Sequence, residues 1–120
     1  MSRKKIGDAQ QASFDGIRRN DEAGNEYWLA RELAPLLDYA QWRNFLLVVD
    51  KARTACQQAG NPVADHFADI SKMVDIGSGA QRPVDDVRLS RYACYLIVQN
   101  GDPSKPVIAN GQTYFAMQTR

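Results

Sequence analysis

The sequence has no long apolar run. The longest, Tyr92-Ala93-Cys94-Tyr95-Leu96-Ile97-Val98, is far short of the ~20 residues that a membrane-spanning helix requires. Charge of one sign is also missing. Fifteen basic and 14 acidic residues leave a net charge of +1. A global positive field is therefore absent, and any contact with nucleic acid has to come from a local patch. Histidine is scarce, with His66 alone, and the two cysteines, Cys56 and Cys94, have no C-x-x-C spacing. A zinc site is excluded on those counts, and the thiols read as reduced core residues of a cytoplasmic protein. The basic start, Met1-Ser2-Arg3-Lys4-Lys5-Ile6, lacks the apolar stretch of a secretory signal. No G-x-G-x-x-G, P-loop or G-x-S-x-G is present, and no cofactor is implied. Gly77-Ser78-Gly79 has no Lys-Ser/Thr after it, so it reads as a hairpin turn rather than a phosphate cradle.

What remains is an ordinary single domain. The chain has 120 residues, 44% of them hydrophobic and 24% charged. A chain of that size buries roughly two thirds of its unfolded surface, enough for a core without metal or disulfide support. Residues 1–12 are polar and without periodicity and read as a flexible leader, with the domain over 13–120. Phe14 to Leu29 reads as a hairpin: Asn20-Asp21-Glu22-Ala23-Gly24-Asn25 is turn chemistry, and Glu26-Tyr27-Trp28-Leu29 is the return strand. Leu29, Leu33, Leu36 and Leu37 share one helical face. Pro35 predicts a short or kinked helix that ends near Asp38 in a left-handed cap.

A second helix is marked by Trp42, Phe45, Leu46, Val49, Ala52 and Cys56, and Gly60-Asn61-Pro62 stops it. A further short helical turn is expected through Phe67. Ile70 to Ile76 then reads as a strand and Gln81 to Leu89 as its return, with Pro83 confining part of that strand to an edge. This second hairpin resembles a wing. Ser90 is a good N-cap for a third helix, Arg91 to Asn100, apolar nearly all round and so expected at the centre of the core. Ser104 or Asp102 is expected to cap a fourth helix, with Pro106 in its first turn and Ile108, Gly111 and Phe115 inward. The pattern is still helical at Arg120, with no stop signal, and a fragment of a longer protein is expected. The fold class is therefore α+β, with two hairpins and about four helices.

Few side chains form a chemical constellation. Asp65 and His66 are adjacent and would not face each other on a helix. Asp85 and Asp86 would point to opposite faces of a strand, as a solvated strand end. Neither cysteine has a histidine nearby in sequence to activate it. Two weak basic clusters remain. Arg43, Lys51 and Arg53 lie on or near the second helix, and Lys72 and Arg82 flank the Gly-rich turn, where a wing reaches a phosphate backbone. Gln41, Arg43 and Asn44 are side chains able to read base edges. The same residues also fit the plain solvated face of an amphipathic helix, and the near-zero net charge favours that reading when composition is taken alone.

A resemblance shifts that balance. Leu89-Ser90-Arg91-Tyr92-Ala93-Cys94-Tyr95-Leu96-Ile97-Val98-Gln99-Asn100-Gly101-Asp102-Pro103 closely resembles the DNA damage-inducible protein D family, as does Gly111 to Arg120. Asp65-His66-Phe67, Lys72-Met73-Val74 and Ile76-Gly77-Ser78 also fit it. More distantly, Trp28 to Tyr39 and the helix after it resemble the N-terminal domain of BRO proteins and phage antirepressors. Those domains usually have Leu-Gly-Tyr where this chain has Leu37-Asp38-Tyr39, an altered helix cap. The resemblance implies an α+β domain associated with DNA binding, a link to the bacterial DNA-damage (SOS) response, and membership of a longer protein. Two readings follow. One is non-enzymatic DNA binding through the second helix and the wing. The other is an antirepressor-like module that engages a protein such as a repressor or recombinase.

Overall fold

The computed structural model describes residues 8–117. The chain runs α1 (Asp8–Ile17), β1 (Arg19–Asn20), β2 (Glu26–Leu29), α2 (Ala30–Leu36), α3 (Trp42–Gln58), a 3-10 turn (Val63–Asp65), β3 (Phe67–Gly77), β4 (Ala80–Leu89), α4 (Arg91–Gln99) and α5 (Pro106–Ala116). It is an α+β fold. The four strands form one antiparallel sheet in the order β1-β2-β4-β3. The two hairpins are thus joined, through Trp28 opposite Leu89 and Leu29 opposite Arg88.

The first hairpin is smaller than expected. Phe14 to Ile17 belong to α1, and the outgoing arm is only Arg19–Asn20. Phe14 is fully buried, and its carbonyl accepts a 3.0 Å hydrogen bond from the Trp28 indole Nε1. A helix delivers this aromatic to the core, where the alternation of a half-buried strand would place neighbours on opposite faces. The turn itself is as expected. The Asp21 carboxylate accepts the N–H groups of Ala23 and Asn25, both at 2.9 Å. Of the leader, residues 1–7 lie outside the described residues, and 8–12 are part of α1.

α2 and α3 end in the same way. After α2, Asp38 N–H donates to the Pro35 carbonyl and Tyr39 N–H to the Ala34 carbonyl; after α3, Gly60 N–H donates to the Gln57 carbonyl and Asn61 N–H to the Cys56 carbonyl. Each is a Schellman motif around one left-handed residue. Gly60 has φ 82°, and Asp38 fills the equivalent place with φ 69°. The left-handed cap expected at Asp38 is therefore present.

α2 has no side-chain cap of its own, because Leu29 occupies its N-cap position. Asp86, on β4, supplies one. Its Oδ1 accepts Arg31 N–H at 2.9 Å and Val87 N–H at 2.8 Å. Asp86 is consequently 1% exposed, while Asp85 faces solvent. The two acids do point to opposite faces, but only Asp85 is solvated. A carboxylate beside the positive end of a helix dipole gains interactions that a free strand end lacks.

α4 sits at the centre. Ser90 Oγ accepts Ala93 N–H at 3.0 Å as its N-cap, and Ala93, Cys94, Ile97 and Val98 are fully buried. α5 closes the core with Ile108, Gly111, Tyr114 and Phe115. Its N-cap position is held by Lys105, not by Ser104 or Asp102. Asp102 Oδ1 instead accepts from the Ser104 N–H and hydroxyl, which orders the loop before the helix. Phe14, Trp28, Tyr114 and Phe115 form an aromatic cluster, with Trp28 edge-on to Phe115 at 5.2 Å between centroids. That geometry suits the ring quadrupoles.

Candidate nucleic-acid interface

α3 buries Phe45, Val49, Ala52 and Cys56. Side chains four apart lie above one another on a helix, so Arg43, Leu47 and Lys51 make a stripe on its opposite side, with Asn44 beside it. All four are exposed, and Leu47 is 59% exposed despite its apolar side chain. Gln41 precedes the helix in an extended conformation and is exposed as well. The start of α3 is fixed by Trp42, whose ring lies 4.1 Å from the Arg31 guanidinium carbon. Arg31 in turn donates from Nε to the Asp85 carbonyl at 2.5 Å, tying α3 to the wing through α2.

The other three predicted contacts do not join this face. Arg53 turns toward β3, where its Nη2 meets Asp69 at 2.8 Å and its guanidinium lies over the Phe67 ring. Asp50 adds a contact at 3.7 Å. Cross-strand partners share a sheet face and neighbours alternate. Phe67 and Asp69 therefore share one face, and Lys72, Val74 and Arg82 share the other, through the pairs Lys72 with Val84 and Val74 with Arg82. Lys72 lies 3.2 Å from the buried Asp86 Oδ2, off the hydrogen-bonding angle. It compensates a buried charge, a role in which its loss is costly. Arg82 is exposed and has no ion pair among the described residues.

Two features escaped the sequence. Leu47 interrupts a polar stripe, which marks it only once the buried side of α3 is known. A cleft of about 550 Å³ opens between the 3-10 turn, β2 and the start of α4, lined by Tyr27, His66, Arg88, Ser90, Arg91 and Tyr92 among others. Its two arginines are each paired with an acid. Arg88 binds Asp21 at 2.7 Å and Arg91 clasps Glu26 through two nitrogens at 2.6 and 3.1 Å. His66 Nδ1 is 2.7 Å from Ser90 Oγ, whose oxygen also caps α4. Burial pushes the Cys56 and Cys94 thiols up, away from the reactive thiolate. Among the described residues, no group of three His, Cys, Asp or Glu is placed to hold a metal ion, and no helix is long and apolar enough to cross a membrane.

The fold is thus a small α+β domain whose long hairpin stands beside a helix with an open polar face. The profile of the BRO family, N-terminal domain, matches residues 16–116, and the chain belongs to that family. It is also similar to DNA damage-inducible protein D of Escherichia coli (strain K12), at 54% identity over 107 residues. The match covers 89% of this chain and 39% of that protein, so the chain spans about two fifths of the relative's length. No solved structure matches the chain.

Proposed function

We propose that this domain binds DNA, without catalysis, in a bacterial response to DNA damage or in prophage regulation. The outward face of α3 is the contact surface, and Arg82 on the wing is a second phosphate contact. One observation carries the reading. Arg43, Lys51 and Arg82 are the Lys and Arg side chains without an ion pair, hydrogen bond or ring contact among the described residues. A cation without an internal partner meets a phosphate at no cost in broken pairs. Asn44 offers a bidentate group for a base edge and Leu47 an apolar contact for a thymine methyl. The family and the name of the relative support the setting.

Arg53 and Lys72, bound to Asp69 and Asp86, serve the fold in this reading. The experiment is a salt-titrated anisotropy measurement on labelled duplex DNA. Arg43→Ala and Lys51→Ala weaken binding on all sequences, Asn44→Ala narrows discrimination between sequences, and Arg53→Ala acts on stability instead. Binding that is absent, or indifferent to salt, rejects the proposal. A second reading, an antirepressor-like module that engages a repressor or recombinase, is favoured by exposed Leu47 in the middle of the α3 face. A protein retained after nuclease treatment and lost in Leu47→Asp would establish it.

A further inference from the structure

β3 ends the sheet. Its outer edge, Phe67–Gly77, has no partner strand among the described residues. Proteins usually blunt such an edge with prolines, charged side chains or bulges. β3 has no proline, its one irregularity lies at its far end, between Asp75 and Gly77, and each of its charged side chains has a partner within its own fold. Asp69 is held by Arg53, Lys72 lies against Asp86, and Asp75 accepts a 2.9 Å hydrogen bond from Gln81 Nε2. Two apolar side chains stand exposed along it, Met73 at 57% and Ile76 at 56%, beside the exposed Asp69, Ser71 and Asp75.

The free side of β4 beyond β2 is poorly suited to pairing. β2 covers β4 only at Arg88 and Leu89. Beyond them, Pro83 has no N–H to offer, and the Asp85 carbonyl is taken by Arg31.

We propose that β3 is a self-association edge, and that two copies of this chain pair their β3 strands antiparallel about a two-fold axis at Met73. The commonest symmetric dimer is of this two-fold kind, in which one patch meets itself. A perpendicular two-fold axis keeps each sheet face continuous, so the centre falls on a residue and the opposing positions are fixed. Centred on Met73, Met73 meets its copy, Lys72 lies opposite Val74, Ser71 opposite Asp75, and Ile70 opposite Ile76. No like charges oppose each other. Centred on Lys72, two lysines would face one another and Asp69 would oppose Asp75, which is unfavourable. In the Met73 register the regular pairing runs from Ser71 to Asp75, and Ile76 falls in the irregularity between Asp75 and Gly77. The dimer does not depend on DNA.

Sedimentation of the DNA-free chain from micromolar to millimolar concentration tests this. A concentration-dependent dimer is expected. Met73→Lys, at an exposed position, sets two cations on the axis and gives a monomer with an unchanged circular dichroism spectrum. The Met73→Cys variant, treated with a mild oxidant, forms a covalent dimer, because opposing Cα atoms in an antiparallel pair lie within disulfide reach. Leu47→Cys on α3 serves as the exposed control and stays monomeric. A chain monomeric throughout, a Met73→Lys variant that still dimerises, or equal cross-linking at Leu47→Cys would each overturn the proposal.

Discussion

Among the described residues, Asp38 carries the one left-handed helix cap that glycine does not fill. Its φ of 69° and its two capping bonds match those at Gly60, yet an L-residue with a side chain crowds its own backbone there. That strain is about 1 kcal/mol. Asp38 is exposed, so its carboxylate has no packing to lose. Asp38→Gly is therefore expected to raise stability by about 1 kcal/mol, seen as a higher urea midpoint with an unchanged slope. Tyr114 shows the opposite case, a polar atom used well inside the core. The residue is 5% exposed, its hydroxyl donates to the Asp15 carboxylate, and burial followed by that bond pushes the phenol from 10.0 up to about 12. A phenol that holds its proton more tightly folded than unfolded stabilises the fold fully below its unfolded pKa. That contribution is lost as pH rises from about 10 to about 12 and is on the order of 2 kcal/mol. The stability gap between the wild-type chain and Tyr114→Phe should accordingly narrow across that window, measured by urea unfolding at stepped pH. A gap that stays constant would mean the hydroxyl does not titrate later in the folded chain.

At the scale of elements, α4 and α5 meet through a glycine. A Cβ on Gly111 would lie 2.9 Å from Val98 Cγ1 and 3.4 Å from Leu37 Cδ2. Val98 is fully buried and β-branched, with one strongly preferred rotamer in a helix, so it has little room to give. Gly111→Ala should cost about 1–3 kcal/mol through overpacking, even though alanine is the better helix former by about 1 kcal/mol. A Cβ on Gly101 would come 2.8 Å from Ile108 Cδ1 and 3.3 Å from its Cγ2, and Ile108 is likewise fully buried and β-branched. Gly101→Ala should therefore also cost about 1–3 kcal/mol, and the two thermal midpoints check the pair. The same scale explains what could be read from the chain. The stripe of α3, the wing, the Ser90 cap and the inward face of α5 follow from local periodicity and turn residues. The helix over Asp8–Ile17 does not, since the packing of Phe14 that calls for it depends on the distant Trp28. Nor was the division of the cations legible. Which way Arg53, Lys72 and Arg82 point depends on strand register and on the acids Asp69 and Asp86, which meet them only in the folded chain.

For the whole molecule, the balance of charge sets how strongly DNA would hold it. A net charge of +1 provides no long-range pull, and most of the described cations are spent on acids of their own fold. Arg31 is held by the Asp85 carbonyl and the Trp42 ring and Lys105 lies over Tyr39, which leaves Arg43, Lys51 and Arg82 among the described residues. Three phosphate contacts give a slope of about −3 for log affinity against log salt, or about a fortyfold loss between roughly 50 and 200 mM. Arg43→Ala should flatten that slope by about one, whereas Lys72→Ala should leave the slope and lower the unfolding midpoint, because Lys72 answers a buried carboxylate. Two copies joined along β3 would present the set twice, and the slope of the dimer should then approach double that of the Met73→Lys monomer. Measured side by side, the two slopes separate the interface from the assembly. Equal slopes with a confirmed dimer would mean that only one α3 face reaches the duplex, and a monomer slope near zero would mean that these three side chains do not bind phosphate at all.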